Sequence, residues 1–410
     1  MGRVVMPTLK TPRSANESHM LKLKHLRHPL RTTNVVKTLV AEHWNMRRLA
    51  SRGERRFRSD ARYDLQSVTD GFASRRNGQC NDTALLERIC TAYNKAMSQQ
   101  HFAKQAYNAT NWWKDMRNAG LEPVQRALAA RETNTLQAMY QNFYRDSCSA
   151  GLVGVPFQMA RAYNGTRVKD TYRRFFLSDA LHRIDYWKSQ TGNRFDVREL
   201  AGPEVGNPFG VQIEGTFVRT GAEYQHYCAQ RICDLLPAGD GFVVEIGGGF
   251  GGVAYYLLRD RPALRYADFD VPESLALTSY YLLKAFPHLS LLLYGEEEFA
   301  HGAQEKFDIV LMPVFELGKL ATKSVDLTFS SHAMSDLSSH AIAEYMDEIA
   351  RTTRRYLLYI GRAAAGASFQ KVMSVKYPAF TLVEKCDLEW NRLKFVDAEE
   401  VELLYRVNSE

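Results

Sequence analysis

The most constraining feature of the sequence is a buried apolar run that leads into a glycine-rich turn. Residues 242–246 are apolar except for Glu245 and are followed directly by Gly-Gly-Gly-Phe-Gly-Gly. A short apolar run bounded by glycine is typical of a strand that is covered on both faces. Glycine permits the left-handed backbone of a sharp turn, and the apolar spacing of residues 252–258 predicts a helix. This strand, turn and helix indicate a doubly wound α/β sheet.

The chain after this turn alternates between strands and helices. Strands are predicted at residues 265–270, 308–312, 325–330 and 355–361, and helices at 272–286 and 340–353. Residues 289–294 compete with 308–312 for the third strand. The later run is favoured because Pro313 and a loop follow it, which makes the earlier run an inserted strand. Two last strands, at 381–386 and 401–407, predict a terminal antiparallel hairpin.

The predicted fold class is therefore α/β: a Rossmann-like sheet, parallel with a terminal antiparallel hairpin, preceded by a mostly helical N-terminal domain. Apolar residues recur at helical spacing from about 63 to 200. Residues 201–221 are rich in glycine and proline and predict a junction loop, with a helix after them at 223–236. We expect a basic arm at 1–62, a helical substrate-cap or oligomerisation domain at 63–235 and a cofactor-binding catalytic domain at 236–410. The helical domain at 63–235 suggests that the protein forms a homo-oligomer.

The basic arm differs in charge from the rest of the chain. Positions 1–62 contain fifteen Lys and Arg against four Asp and Glu, whereas the whole chain carries only +7, so the body is slightly acidic. Such an arm could contact nucleic acid or an anionic membrane surface. A solvated amphipathic helix is the plainer interpretation, because Trp44, Met46, Leu49 and Phe57 interleave with the arginines. An organelle-targeting segment is a third interpretation.

The cysteines and the apolar runs indicate the compartment. The six cysteines are scattered, without a Cys-x-x-Cys pair or a cluster at zinc spacing, which fits reduced thiols. The chain has no apolar stretch of bilayer length, and its start does not read as a secretory signal. We therefore expect a cytoplasmic protein.

The acidic residue that ends the first strand discriminates between nucleotide cofactors. A carboxylate at Glu245 suits a ligand with a positively charged amino-acid end, whereas it repels a pyrophosphate. Asp270 ends the next predicted strand, at the distance from the glycine turn where a doubly wound fold holds the ribose hydroxyls. Asp268 is the competitor, because strand alternation puts it on the same face. These residues predict S-adenosyl-L-methionine (SAM) as the cofactor.

A dinucleotide site is an alternative, since Gly247, Gly249 and Gly252 also satisfy the pattern Gly-x-Gly-x-x-Gly. The sequence that follows Gly252 is too short for a second nucleotide half and a substrate domain. A glycine turn without any ligand is the remaining interpretation.

Several short segments carry a family resemblance over residues 205–362. They are Glu-Ile-Gly-Gly-Gly-Phe-Gly, Asp270-Val-Pro-Glu-Ser-Leu, Leu311-Met-Pro, and Val325-Asp-Leu with Ser335-Asp-Leu. Together they resemble the sugar O-methyltransferases of polysaccharide and glycosylated natural-product pathways, which are class I SAM-dependent enzymes. The helical part resembles them more weakly, through Tyr140-Gln-Asn-Phe-Tyr and Ser149-Ala-Gly-Leu-Val.

The resemblance implies roles for individual residues. It assigns the carboxylate of Glu245 and the glycines to the methionine part of SAM, and Asp270 to the ribose. The loop after Met312 would flank the adenine. The implied cofactor site consists of Glu245, Gly247, Gly249, Gly251, Asp270, Pro313, Val314, Phe315 and Ser331.

The base that deprotonates a sugar hydroxyl is expected beyond the fourth strand, at the carboxyl edge of the sheet. His332 and Asp336 are the catalytic candidates, because they would share one face if a helix began there. Alternatively, Asp336 caps the next helix and His332 is an ordinary surface histidine. Acidic residues give no convincing set of ligands for a metal.

Four residues just before the cofactor domain are candidates for substrate binding, although structural roles are an equal alternative: Glu214, Arg219, Tyr224 and His226. The expected activity is O-methylation of a sugar-containing acceptor. Nucleic-acid methylation is the main alternative, because Asn207-Pro-Phe faintly resembles an amine-methylating motif, but no specific nucleic-acid module is visible. A SAM-binding scaffold without catalysis is a third class.

Overall fold

The computed structural model describes residues 29–76, 81–108, 111–153, 170–299, 302, 305–394 and 400–408. Positions 1–28 of the predicted basic arm lie outside these ranges. The C-terminal part forms an eight-stranded sheet. Its strands are β3 (Gly241–Ile246), β4 (Leu264–Asp270), β5 (Leu291–Leu293), β6 (Ile309–Pro313), β7 (Val325–Ser331), β8 (Thr353–Arg362), β9 (Phe380–Leu388) and β10 (Glu400–Val407).

The strand order is β5-β6-β4-β3-β7-β8-β10-β9. The strands from β3 to β8 pair in parallel, whereas β10 lies antiparallel between β8 and β9. The expected Rossmann-like sheet with a terminal antiparallel hairpin is therefore confirmed. The choice of third strand is also confirmed, because β6 pairs with β4 and β5 is added outside it.

Helices cover both faces of the sheet, which explains why every residue of β3 is buried. Val243 packs with the helices of one face and Val244 with those of the other. One layer contains α8 (Ala222–Leu235), α9 (Gly252–Asp260) and α10 (Pro272–Ala285), and the other contains α11 (Ser339–Thr352) and α12 (Ala363–Lys376). The sequence analysis did not predict α12.

The region before the sheet is helical, as predicted. It contains α1 (Pro29–Phe57), α2 (Leu65–Gly71), α3 (Thr83–Gln100), α4 (Asn111–Met116), α5 (Glu122–Ala130), α6 (Thr133–Tyr140) and α7 (Asp170–Gln190). Most of its buried side chains form one continuous core with the layer of α8, α9 and α10. The division of the chain at residues 62 and 235 stays a prediction. Within the described ranges, no helix is long and apolar enough to span a bilayer.

The predicted junction loop at 201–221 is partly wrong. It contains a two-stranded antiparallel hairpin, β1 (Gly210–Ile213) and β2 (Thr216–Arg219). The turn uses left-handed backbone at Glu214 and Gly215, with φ of 51° and 78°. Glycine and proline therefore mark a tight hairpin here, which their composition alone does not distinguish from a loop.

Candidate functional site

The glycine turn after β3 has the left-handed conformations that the sequence predicted. Gly247, Gly249 and Gly251 have φ of 81°, 64° and 88°. A Cβ on Gly247 would lie 2.2 Å from the Cβ of Ala333, which belongs to the turn after β7. The two turns thus lie side by side at the carboxyl edge of the sheet, where ligands of doubly wound folds bind.

Three carboxylates converge beneath this turn. Glu245 and Asp268 are adjacent across the β3–β4 register and are almost fully buried. Gly248 N donates to Asp268 Oδ1 at 2.9 Å, and Gly249 N donates to Asp270 Oδ2 at 3.2 Å. Tyr266 Oη donates to Glu245 Oε2 at 2.6 Å. The turn and its neighbouring strand therefore position all the acidic groups that the sequence analysis named for the cofactor.

Burial perturbs the acidity of this carboxylate cluster (Glu245, Asp268 and Asp270). Desolvation raises the pKa of Glu245 to about 7 and that of Asp270 to about 6. The pKa of Asp268 is raised well above its ordinary value, first by burial and then by the charge of Asp270. Burial and mutual repulsion both disfavour the charged forms, so these carboxyl groups lose their protons at higher pH than exposed carboxyl groups do.

The cluster has the character of a cation site. Among the described residues, no Lys or Arg forms an ion pair with any of the three carboxylates. The buried oxygen Oδ2 of Asp268 has no hydrogen-bond partner within the same part of the chain. A buried polar atom without a partner is costly, and a cationic ligand would relieve both the missing hydrogen bond and the repulsion.

Asp270 lies where β4 ends, beside the loop predicted to flank the adenine. Ser274 Oγ donates to Asp270 Oδ2 at 2.5 Å, and Pro313 is paired with Asp270 across β4 and β6. Val314 is buried, and Phe315 packs edge-on against Tyr294 at 5.8 Å between ring centroids. The structure therefore brings this part of the predicted cofactor site together.

The helical region covers the glycine turn from outside. The carbonyl oxygen of Leu152 would lie 3.3 Å from a Cβ on Gly249. Buried Glu273, at the start of α10, accepts hydrogen bonds from Trp113 Nε1 at 2.7 Å and from Arg117 Nη2 at 2.9 Å. This contact ties α4 and the turn after it to the helix that begins beside Asp270.

The predicted acceptor side of the site lies at the end of β7. Ser331 and Tyr224 share a hydrogen bond between hydroxyl oxygens at 2.6 Å, and the Tyr224 ring lies 6.1 Å from that of His332. His332 has a left-handed φ of 63° and is partly exposed. Strained backbone at a polar residue is typical of functional sites. The structure thus brings Tyr224, Ser331 and His332 together.

The expectation that His332 and Asp336 share one face of a helix is wrong. Residues Ala333–Asp336 form a 3-10 turn, and α11 begins only at Ser339. A 3-10 turn separates residues four apart by about 120° around its axis. Ser338, rather than Asp336, caps α11, because its Oγ accepts from Ala341 N. The side chain of Asp336 lies outside the described part of the chain.

A different carboxylate lies near the His332 ring. Glu400 Oε1, at the start of β10, is 3.8 Å from His332 Nε2 and accepts from Asn391 Nδ2 at 3.0 Å. Its other oxygen, Oε2, is buried without a partner among the described residues. Sequence reasoning missed Glu400 because it lies far from His332 along the chain. The antiparallel position of β10 beside β8 brings the two together.

His226 lies away from this edge. Its ring is fully buried, Nδ1 accepts from Trp187 Nε1 at 3.1 Å, and Nε2 lies 3.7 Å from Asp260. Asp260 is the last residue of α9, about 12 Å along the helix from the glycine turn. Burial lowers the pKa of His226 to about 4, so the ring is neutral. The assignment of His226 to sugar binding is corrected to a packing role.

Glu214 and Arg219 lie in different surroundings, and their binding of an acceptor stays a prediction. Glu214 is exposed at the tip of the β1–β2 hairpin, about 16 Å along the strand from Arg219. Arg219 is buried beneath the glycine turn, with its guanidinium 5.4 Å from the ring centre of Phe250, and donates to Gln225. Arg219 therefore packs against the glycine turn, and its buried Nε has no hydrogen-bond partner among the described residues.

Within the described residues, no group of three or more His, Cys, Asp and Glu side chains is arranged to hold a metal ion.

Comparison with known proteins found similarity to solved structures only. No protein-family model and no curated protein matches the sequence. The structure of the pyocyanin biosynthetic protein PhzM is similar over 46% of this chain and 56% of its own, with 14% identity and a TM-score of 0.33. A TehB-like SAM-dependent methyltransferase from Corynebacterium glutamicum is similar over 56% of this chain and 99% of its own, with 14% identity and a TM-score of 0.32. M. capricolum TrmK, solved with S-adenosyl-homocysteine, is similar over 45% of this chain and 69% of its own, with 9% identity and a TM-score of 0.30.

Proposed function

We propose that this chain is a SAM-dependent O-methyltransferase that methylates a hydroxyl group of a sugar-containing acceptor. The observation that carries the proposal is the carboxylate cluster beneath the glycine turn, with no paired Lys or Arg among the described residues. SAM is cationic at both its ammonium and its sulfonium. A pyrophosphate, which is anionic, would add to the repulsion within the cluster.

The end of the sheet also argues against a dinucleotide enzyme. A dinucleotide domain continues its parallel sheet through a second nucleotide-binding half. Here the sheet ends in the antiparallel pair of β9 and β10. The sheet described here therefore offers one nucleotide crevice, between the glycine turn and the end of β4.

The chain's own residues divide the work at this crevice. Glu245 and Asp268 would hold the amino-acid end of the cofactor, and Asp270, oriented by Ser274, would accept hydrogen bonds from the ribose. Pro313, Val314 and Phe315 would contact the adenine. When bound, SAM supplies a methyl group that is already activated on sulfur. The protein then has to orient the acceptor hydroxyl and take its proton.

His332 is the base that we propose for this proton. It lies beside the glycine turn through its neighbour Ala333, and its Nε2 is 3.8 Å from Glu400 Oε1. Glu400 would stabilise the imidazolium that forms, as a carboxylate does for a histidine base in general. Asp336 remains the second candidate for the base.

A polyhydroxyl acceptor is favoured by the polar groups around His332. Ser331, Tyr224, Asn391 and Glu400 supply hydroxyl, amide and carboxylate groups at one edge, and Tyr224 adds an aromatic ring. Sugars bind through such mixtures of hydrogen bonds and aromatic faces. The sugar class also rests on the family resemblance of residues 205–362.

The experiment is incubation of the full chain with labelled SAM and a panel of glycosides, read by mass spectrometry. We expect a gain of one methyl on a sugar, lost in His332→Ala while S-adenosylhomocysteine binding is kept. His340→Ala, an exposed histidine on α11, is the matched control and should stay active. Tight binding of NAD with no binding of adenosylhomocysteine would overturn the proposal. Activity retained in His332→Ala but lost in Asp336→Ala would move the base to Asp336.

The motif that suggested nucleic-acid methylation has a structural use here. Asn207 is buried, its Oδ1 accepts from Arg75 N at 2.8 Å, and its Nδ2 donates to Asn142 Oδ1 at 2.7 Å. Phe209 is buried against Phe72. These side chains hold the base of the β1–β2 hairpin, so the amide of the motif is already engaged and does not face a substrate amine.

A further inference from the structure

The N-terminal helix α1 exposes a continuous basic face. Arg47, Arg48, Arg52, Arg55 and Arg56 are all exposed, and at about 100° per residue they lie within one half of the helix. Trp44 lies near the middle of this half and is 66% exposed. We call these six residues the arginine face.

The opposite half of α1 packs against the body of the protein. Leu49, Ala50 and Phe57 are buried there, and Leu49 and Ala50 pack with Phe175 of α7. A Cβ on Gly53 would lie 2.4 Å from the Cβ of Ser178, so the two helices are in close contact. This half of the helix therefore packs on the body, and the arginine face points outward.

The charges of this face are not neutralised locally. Glu54 is the only acidic residue between positions 43 and 59, and it pairs with Arg174 of α7. Arg48 donates to Asn45 and Arg55 to the carbonyl of Ser51, neither of which is charged. Among the described residues, none of the five arginines has a carboxylate partner. Five guanidinium groups without a local counter-charge create a positive potential on this face.

We propose that the arginine face docks on an anionic lipid surface. The basic groups would lie on the headgroups, and the exposed indole of Trp44 would enter the interface, where tryptophan is enriched. Lipid is favoured over nucleic acid because the face is convex and has a single aromatic side chain. Non-specific binding to a single strand uses several stacking aromatics along a groove. The inference goes beyond the proposed function and does not depend on it.

The test is sedimentation of the full chain with vesicles of phosphatidylcholine alone or with about 30% phosphatidylglycerol, an anionic content that attracts polybasic segments. The face variant is Arg48→Gln with Arg52→Gln and Arg55→Gln. Its control, Arg126→Gln with Arg198→Gln and Lys371→Gln, removes equal charge from exposed positions elsewhere. Trp44→Ala tests the indole.

We expect binding only to the anionic vesicles, weakened about tenfold or more in the face variant and less in Trp44→Ala. The control should bind like the unaltered protein, and added salt should weaken binding. Equal binding by the face variant and the unaltered protein would overturn the proposal. The proposal would also be overturned if the face variant lost binding to nucleic acid but bound vesicles as the unaltered protein does. Methyl transfer to a soluble glycoside is measured in parallel. If no transfer is found, the proposed function fails, but the vesicle result still tests the lipid proposal.

Discussion

At the scale of single residues, the proposed preference of the crevice for a cationic ligand depends on Glu245. Its pKa is raised to about 7 because it is buried, so it is partly protonated at neutral pH. A cation bound beside it favours the charged carboxylate and lowers that pKa again. Binding of the proposed cofactor would therefore release protons.

We predict that the affinity for adenosylhomocysteine, which keeps the ammonium, rises as pH increases from 5.5 to 7.5. Titration calorimetry in buffers of different ionisation enthalpy should show protons released on binding. Glu245→Gln should bind more weakly and release fewer protons, whereas Glu297→Gln, an exposed surface change, should behave like the unaltered protein. Proton release that is unchanged in Glu245→Gln would rule out this role.

Glu400 is the residue whose role depends most on the fold. Glu400→Gln keeps the shape but removes the charge that faces His332, so we predict an about 10- to 100-fold lower kcat with KM changed less than about threefold. The acid limb of the pH–kcat profile should move to lower pH, because an imidazolium without this carboxylate loses its proton more readily. Glu389→Gln, an exposed change in the preceding loop, is the control. A lower kcat with an unmoved profile would indicate a structural role only.

At the scale of elements, the close approach of two turns determines the shape of the crevice. Gly247 of the β3–α9 turn has a left-handed φ of 81° and leaves no room for a Cβ beside Ala333. Ser330 Oγ also donates to Ile246 O at 3.0 Å, which ties β7 to the end of β3. The glycine turn and the end of β7, next to the proposed base, are therefore held against each other.

We predict that Gly247→Ala lowers the free energy of unfolding by about 1–3 kcal/mol, because it combines backbone strain with overpacking. It should also weaken adenosylhomocysteine binding by more than about tenfold, as the turn shifts. Gly202→Ala is the control, since the nearest atom to its added Cβ would lie 3.4 Å away, at ordinary contact distance. Differential scanning fluorimetry and calorimetry measure the two effects. Unchanged affinity in Gly247→Ala would contradict the proposed location of the cofactor.

At the scale of the whole molecule, the carboxylate cluster couples folding stability to pH. Glu245 has a raised pKa when folded, so its contribution to stability is fully present below about pH 4.5 and is lost as pH rises through about 7. Asp270 acts in the same direction, because burial raises its pKa as well. The cluster therefore destabilises the folded protein as pH rises, whereas carboxylates that are paired with cations usually stabilise a protein over the same range.

We predict that the cofactor-free protein loses stability between pH 5 and pH 8, by up to about 3 kcal/mol from Glu245. Thermal unfolding measured across this range should show a smaller loss in Glu245→Gln and in the unaltered protein saturated with SAM. A pH dependence that neither the substitution nor the ligand reduces would assign the effect to other groups.

The local patterns of the C-terminal part were enough to predict its fold. The apolar run before the glycines, the alternation after it and the last two strands follow from backbone sterics and hydrophobic periodicity, which act over a few residues. The β1–β2 hairpin was missed because glycine and proline mark both loops and tight hairpins. The helix α12 was missed although its alanines favour a helix.

The residues of the candidate site also fall into two groups, those that the sequence identified and those that it did not. Glu245, Asp270 and the glycines could be named from the sequence, because one strand, one turn and the end of the next strand place them within a single unit. Glu400 could not be named, and His226 was misassigned, because proximity to the edge or burial in the core depends on which distant elements pack together. The sequence by itself therefore determined the strand, the glycine turn and the carboxylates of the proposed cofactor crevice, through short-range stereochemistry. Only the tertiary structure decided which side chains face His332 and that the arginine face points outward, because both depend on contacts between segments far apart in the chain.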